Sequence, residues 1–471
     1  MKFMVAPLAI IMSLNAHSKE LSLDNYLKEI ENQNQTIRAS QSTIDGVEKR
    51  SKESELIFKT NYFLQSQALI DKKPTASVAA QGDRTDNQYV STGLMKQFDF
   101  GLKGKLSYTL SHTHIYNASS LYLPLSNFDD SQIGIELTQS LWRNFKGTEF
   151  KSQSTILDAD VAAKKLIESY KTKVILSKAE SVYWSLSQMK KMVQVQKENL
   201  ERAKKIKVWA EERSNSGLGD KSDLLQSDAN VKYREYELKS SEQQLKTIAR
   251  AFNNLRNLEG DEVNEQLSFI NSNLISNLKL QKKSDLREDT KAAMEYEKLT
   301  KANLDLSIEK NKPNLELYGS YALNGRDREF SNSITNGTKT DKTTIAIGVR
   351  FNMPIDLGLL NDNIEGYKKE KVAAELNLKQ KIFDQDQEWN DLVSKFNDAK
   401  ENLALAEKIE TAQKLKSTNE RDRLTKGRTT TFQVLNFEQD YATSELLKLK
   451  FELEIINLYS QSKTFLTGGQ Q

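Results

Sequence analysis

The sequence predicts a mainly α chain with β: long antiparallel coiled-coil helical hairpins combined with two pairs of β-strands. Three observations predict it. Apolar residues recur every seven positions over long stretches, the seam of a coiled coil. Shorter stretches alternate apolar and polar residues with period two, the pattern of half-buried strands. A tip sequence occurs at Gly217–Gln226 and again at Gly427–Asn436, 210 positions on. The chain is thus written twice, with a period far longer than a solenoid repeat.

Composition narrows the classes. At 471 residues the chain exceeds one ordinary core. The 68 basic and 65 acidic residues nearly cancel, which argues against nucleic acid as the partner. There is no Cys, so disulfides, thiolate chemistry and Cys-ligated zinc are excluded. Only 5 Pro are present, as long helices require.

Residues 1–18 read as a secretory leader. Lys2 precedes an apolar run from Phe3 to Leu14, and Ala16-His17-Ser18 supplies small residues before a cleavage point near Ser18–Lys19. No later segment has the ~18 apolar residues of a spanning helix.

The first repeat is expected over 19–258. Residues 21–60 read as helical, with Leu23, Ile30, Ile37 and Ile44 seven apart. The stretch 61–101 reads as an insertion holding a small extra β element, because the second half lacks a counterpart. Strands follow at 102–114 and 131–141: Leu106, Tyr108 and Leu110, then Ile133, Ile135 and Leu137, alternate with polar residues. A helical hairpin then covers 148–258. Leu186, Met189, Val193, Leu200 and Ala203 form the seam of its first arm, and Leu224, Val231, Leu238, Leu245 and Phe252 that of its second. Residues 259–283 read as an irregular linker.

The second repeat covers 284–467. A helix near 285–311 leads to strands 313–324 and 342–353, the second with Ile345, Ile347, Val349, Phe351 and Met353 on one side. The hairpin 362–467 carries Trp389, Phe396 and Leu403, then Leu435, Ala442, Leu449 and Ile456, at heptad spacing. The Gly468-Gly469 tail reads as frayed. At each tip a glycine ends the arriving helix through positive φ, and Ser222 or Thr430/Thr431 is placed to cap the departing one.

Four strands of this length reach across a bilayer at a tilt but cannot close. Open edges are not tolerated in lipid, so membranous strands imply an oligomer, and three chains give twelve strands. The alternative is a periplasmic coiled-coil scaffold that never enters a membrane.

The doubled helix–strand–loop–strand–helix plan, the leader and the tips resemble the TolC family of outer-membrane efflux proteins. Leu21-Ser22-Leu23, Leu137-Thr138-Gln139-Ser140-Leu141-Trp142 and Lys312-Pro313-Asn314-Leu315 carry the resemblance, as does Gly427-Arg428-Thr429-Thr430-Thr431-Phe432-Gln433-Val434-Leu435-Asn436. The resemblance spans 21–467. It implies a homotrimer with a 12-strand barrel in the outer membrane and a 12-helix periplasmic tunnel. It also implies a periplasmic adaptor and an inner-membrane RND or ABC transporter as partners, in efflux or type I secretion. A passive duct of this kind needs no cofactor and is not an enzyme.

By the same resemblance, gate positions fall at Asp223, Gln226, Gln433 and Asn436, of which only Asp223 keeps the family's charge. Arg428 stands nearby as a partner for it across protomers. Adaptor docking falls at Gly217, Leu218 and Gly427. The plain alternatives are an acidic residue favouring a helix N-terminus and glycines that stop helices. Gly217-x-Gly219-x-Lys221-Ser222 is no phosphate loop, because Asp220 separates Gly219 from Lys221 and no strand precedes it. His112 and His114 share a strand face but lack a third ligand, so no metal is expected. Trp142, Tyr108, Tyr122 and Phe351 are candidates for interfacial girdles.

Overall fold

The structure is a computed structural model that describes residues 20–217 and 219–466. The expected leader, Leu218 and the Gly468-Gly469 tail lie outside the described residues. In chain order the elements are β1 (Glu20–Leu21), α1 (Leu23–Gln33), α2 (Gln35–Arg50), α3 (Glu53–Leu56), β2 (Asn61–Asp71), α4 (Val78–Gln81), β3 (Arg84–Gln97), β4 (Leu102–Tyr116) and β5 (Asn127–Ser140). There follow α5 (Thr148–Asn215), α6 (Lys221–Leu255), β6 (Gln266–Leu267), α7 (Ser272–Asn277), α8 (Glu288–Lys310), β7 (Asn314–Asp327), α9 (Phe330–Gly337), β8 (Thr343–Asn352), α10 (Leu357–Thr425) and α11 (Thr431–Ser462). Two units emerge, one of residues up to Ile44, Leu166–Thr290 and from Ile382, the other of Asp45–Lys165 and Lys291–Lys381.

The first unit is helical. The heptad seams bury as the spacing predicts: Ile30, Ile37, Leu186, Phe252, Phe396, Leu403 and Ile456 share one core with Tyr26, Tyr183 and Ile455. Tyr26 stacks on Phe252 with ring centroids 4.2 Å apart and planes 5° apart. Both phenols then need polar partners in an apolar setting. Tyr26 Oη donates to the Phe252 carbonyl (3.3 Å) and Tyr183 Oη to the Leu21 carbonyl (2.6 Å). Tyr183 Oη also accepts from the Ser268 N–H (2.9 Å), so one hydroxyl bridges Leu21 of β1 and the residue that follows β6.

Two expectations change in this unit. The helix expected over 21–60 is broken, because Asn34 is extended and its side chain accepts from the N–H groups of Thr36 and Ile37. Asn34 thus ends α1 and caps α2, a device that heptad spacing does not register. The linker 259–283 is not wholly irregular, since it contains β6 and α7.

The second unit holds one antiparallel sheet in the order β2-β3-β4-β5-β7-β8. The four expected strands are all present, and two more, β2 and β3, arise from the 61–101 stretch. The sheet of one chain therefore has six strands where four were expected. Registers are continuous across it. One rung runs Tyr62, Leu94, Leu106, Ile135, Tyr321 and Ile345, every residue large, apolar and exposed. The adjacent rung runs Phe63, Gly93, Ser107, Gly134, Ala322 and Thr344, and the next on that face Gln65, Ser91, Thr109, Gln132 and Asn324. Period two therefore sorts the sheet into an apolar face and a largely small or polar one. The short helix α9 lies against β5 and β7, with Gly337 against Ser131.

Gly147 turns the chain from β5 into α5. Its φ is +76°, and a Cβ there would sit 1.6 Å from the Asp99 carbonyl oxygen. No other residue fits this turn without moving the β3–β4 connection.

Candidate functional site at the helical tips

Both tips end their arriving helices alike. At the second, Gly427 has φ +67°; its N–H donates to the Leu424 carbonyl (2.9 Å) and the Arg428 N–H to the Arg423 carbonyl (2.8 Å). That is the Schellman closure with glycine in the left-handed position. At the first, Gly217 has φ +69° and donates to the Ser214 carbonyl (3.1 Å). Among the described residues a Cβ on either glycine would meet nothing within 4 Å, so backbone conformation demands glycine there. Leu218 lies outside the described residues.

The caps resolve the sequence alternatives. Thr430 caps α11, its Oγ1 accepting from the Gln433 N–H (3.3 Å). In the first tip the cap is Asp220 and not Ser222, with Asp220 Oδ1 accepting from the Ser222 N–H (3.0 Å). An ionised acceptor suits a helix N-terminus better than a hydroxyl does.

Of the proposed gate positions, Asp223, Gln226, Gln433 and Asn436 lie at the starts of the departing helices, and Arg428 lies in the turn before α11. Gln226, Gln433, Asn436 and Arg428 are exposed and Asp223 is half-buried. Asp223 and Gln226 are one helical turn apart on α6, as are Gln433 and Asn436 on α11. Arg428 donates no side-chain hydrogen bond to Asp223 among the described residues, and its carbonyl accepts from Arg423 Nη2 (3.3 Å).

Behind the tips lies a set of charged residues that the sequence reading missed. On α11, Glu438, Glu445 and Glu452 repeat every seven residues, three positions after the apolar seam residues Leu435, Ala442 and Leu449. Carboxylates thus occupy the second row of a coiled-coil seam. That spacing was the available signal. Glu438 is 6% exposed and Glu452 2%. Each has a partner on α5. Arg202 Nε lies 3.1 Å from Glu438 and its Nη2 3.0 Å from Glu445, while Gln188 Nε2 donates to Glu452 (2.8 Å). Glu438 also meets Arg421 of α10 (3.0 Å) and accepts from Ser417. The Arg202 guanidinium stands 5.0 Å from the Tyr441 ring centroid. Burial and the Glu445 carboxylate together raise the Tyr441 hydroxyl well above the ordinary phenol range.

The two hairpins are joined at other points near the tips. Arg234 of α6 donates to Gln439 of α11 (2.6 Å) and pairs with Glu237 (2.7 Å). Ile206 of α5 packs with Leu424, Val434 and Leu435. Between α5 and α6, Lys207 pairs with Asp228 at 2.6 Å, and this hydrogen bond holds the Asp228 carboxyl below its usual range.

Other candidates are placed as follows. His112 Nδ1 lies 2.8 Å from Asp129 Oδ1, and the His114 ring lies 4.1 Å from that of Tyr116. Trp142 and Phe351 are exposed near the strand ends that adjoin the helices, and Tyr122 is exposed in the loop between β4 and β5. Tyr108 sits mid-strand and accepts from Ser131 (3.3 Å). No helix among the described residues is long and apolar enough to cross a membrane.

No family model and no curated protein matches the sequence. Solved structures do match. The outer-membrane channel OprN superposes with TM-score 0.69 at 14% identity, covering 94% of this chain and 89% of its own. The CmeC outer-membrane channel of Campylobacter jejuni gives 0.65 at 14%, covering 95% and 87%. The MtrE outer-membrane channel of Neisseria gonorrhoeae, solved in its open state, gives 0.62 at 14%, covering 94% and 88%. At this identity the likeness is one of fold, and it extends over nearly the whole chain.

Proposed function

We propose that this chain, which has the fold of the outer-membrane channels of the TolC family, is itself such a channel. It acts as a trimer and as the passive exit duct of a tripartite efflux pump or a type I secretion system. The observation that carries this reading is the apolar rung from Tyr62 to Ile345, exposed on every strand of the sheet. A water-soluble protein rarely leaves so large an apolar surface uncovered. Lipid covers it at no cost, while the opposite face, lined by Gln, Ser, Thr and Asn, suits a water-filled lumen. The scaffold alternative leaves this surface without a purpose.

In this reading the sheet lies in the outer membrane and the helical hairpins in the periplasm. The tips, with Gly217 and Gly427 exposed and Leu218 between α5 and α6 in sequence, meet a periplasmic adaptor, which links the duct to an inner-membrane RND or ABC transporter. Asp223, Gln226, Gln433 and Asn436 narrow the periplasmic mouth, with Arg428 available to a neighbouring protomer's Asp223. Opening requires the α10–α11 hairpin to shift against α5–α6. The Arg202–Glu438 and Arg234–Gln439 links resist that shift. No catalytic step is involved; the transporter supplies the energy.

Membrane fractionation with native mass determination tests this. A heat-resistant trimer in the outer-membrane fraction is the expected result. A protein released without detergent would overturn the reading.

A further inference from the structure

Among the described residues the sheet has two unpaired edges, β2 and β8, and we infer that they are the seam at which neighbouring copies of this chain join. The inference rests on the trimeric channel reading above. Three features of the strands support a second copy as the occupant.

First, the β2–β3 hairpin belongs to the same layer as the other strands. Tyr62 and Leu94 continue the apolar rung of Leu106, Ile135, Tyr321 and Ile345 without a break. Leu64 and Ile70 of β2 and Val90 of β3 are exposed on that same face. A hairpin standing in water beside the barrel would gain nothing from this pattern; one lying in lipid requires it.

Second, the edges lack protection. Soluble proteins guard an exposed edge with Pro, Lys or a covering loop. Neither Asn61–Asp71 nor Thr343–Asn352 contains Pro or Lys, and the one basic residue between them, Arg350, is tied to Glu316 of β7 (3.4 Å). In lipid, each unpaired backbone group costs several kcal/mol, so both edges must be paired.

Third, the edges match each other. They have 11 and 10 residues. With six strands alternating in direction, β2 and β8 run opposite ways. A neighbour's β2 therefore meets β8 antiparallel, and the alternation continues around a closed ring.

The consequence is a wider barrel. Six strands from each of three chains close at eighteen. Barrel diameter grows about linearly with strand number, and barrels of about 16–18 strands leave an aqueous channel. The hairpin from the 61–101 stretch thus moves the subunit seam outward by two strands and enlarges the lumen about 1.5-fold in diameter over a twelve-strand ring.

The absence of cysteine makes the test direct. Gln65 lies on the lumen-facing parity of β2, and Thr344 and Ala346 share that parity on β8, as does Arg350. Gln65→Cys is combined in turn with Thr344→Cys, Ala346→Cys and Arg350→Cys, which samples neighbouring registers. The control set replaces Gln65→Cys by Thr109→Cys on β4. Oxidised membranes are run on gels with and without reductant, and trimer mass is measured in parallel. At least one Gln65 pair giving reductant-sensitive dimers and trimers, with none from Thr109, is the expected result. Cross-links from Thr109 pairs alone would overturn the seam and leave the channel intact. An intact trimer with no cross-link from either set would also overturn it. Loss of the trimer in the unmodified protein would remove the channel reading itself, and the seam with it.

Discussion

Arg202 Nε stands 3.1 Å from Glu438 Oε2, in a place where the heptad pattern would put a leucine. The same guanidinium reaches Glu445, two turns on, so α5 grips α11 by charge as well as by packing. A buried ion pair seldom adds net stability over an apolar pair, but removing one member leaves an uncompensated charge. Its attested use is to fix register.

Glu438→Ala leaves Arg202 with Glu445 and strips Arg421 of its interhelical partner. A loss of about 3 kcal/mol is expected from breaking a buried pair. Thermal unfolding in detergent measures it. In the proposed channel the variant should also spend more time open, because one link between the hairpins is gone. An unchanged melting temperature together with unchanged gating would show that Glu438 does neither task.

Asp223→Lys reverses the one acidic charge kept at the proposed gate. Single-channel conductance should rise, and any block by divalent cations should weaken. Conductance and cation block identical to the parent would take Asp223 out of the gate.

Gly217 and Gly427 test the tips. Gly→Ala at either should cost about 1 kcal/mol through the left-handed backbone alone, since nothing surrounds the new Cβ. Gly→Trp should instead impair export while trimers persist, because the bulk would stand at the proposed adaptor-docking point. Normal export by both tryptophan variants would count against docking at the tips.

Ile347 and Ala346 are neighbours on β8 that face opposite ways. Ile347 is 79% exposed on the apolar face. Under the proposed membrane placement, Ile347→Lys puts a charge in lipid and should cost about 2–4 kcal/mol near the midplane, whereas Ala346→Lys faces the proposed lumen and should be tolerated. Comparing folded fractions of the two in detergent-to-vesicle refolding checks the assignment. Equal yields would mean that the apolar face does not meet lipid.

The heptad seams were legible because they obey one period: Leu186, Phe252, Phe396, Leu403 and Ile456 all reach the core. Strands β4, β5, β7 and β8 were legible for the same reason at period two. The β2–β3 hairpin was less so. Phe63 and Leu69 put apolar residues on the polar parity of β2, and Gln88 and Thr92 dilute the apolar row of β3, so the contrast between faces is weak. Its membership of the sheet depends on cross-strand register, which no single strand displays. Asn34 and Asp220 act through local side-chain to backbone bonds that compete with nearby candidates of the same chemistry. The grip of Arg202 on Glu438 joins residues 236 positions apart and needs the packed helices to be seen.

The most direct measurement is single-channel conductance of the purified protein in a planar bilayer, with oligomer mass determined in the same detergent. A trimer that inserts and conducts, mostly in a narrow closed state with rare wide openings, is the expected result. A monomer or dimer that stays soluble without detergent and never conducts would contradict the channel, and the apolar face of the sheet would then need another cover.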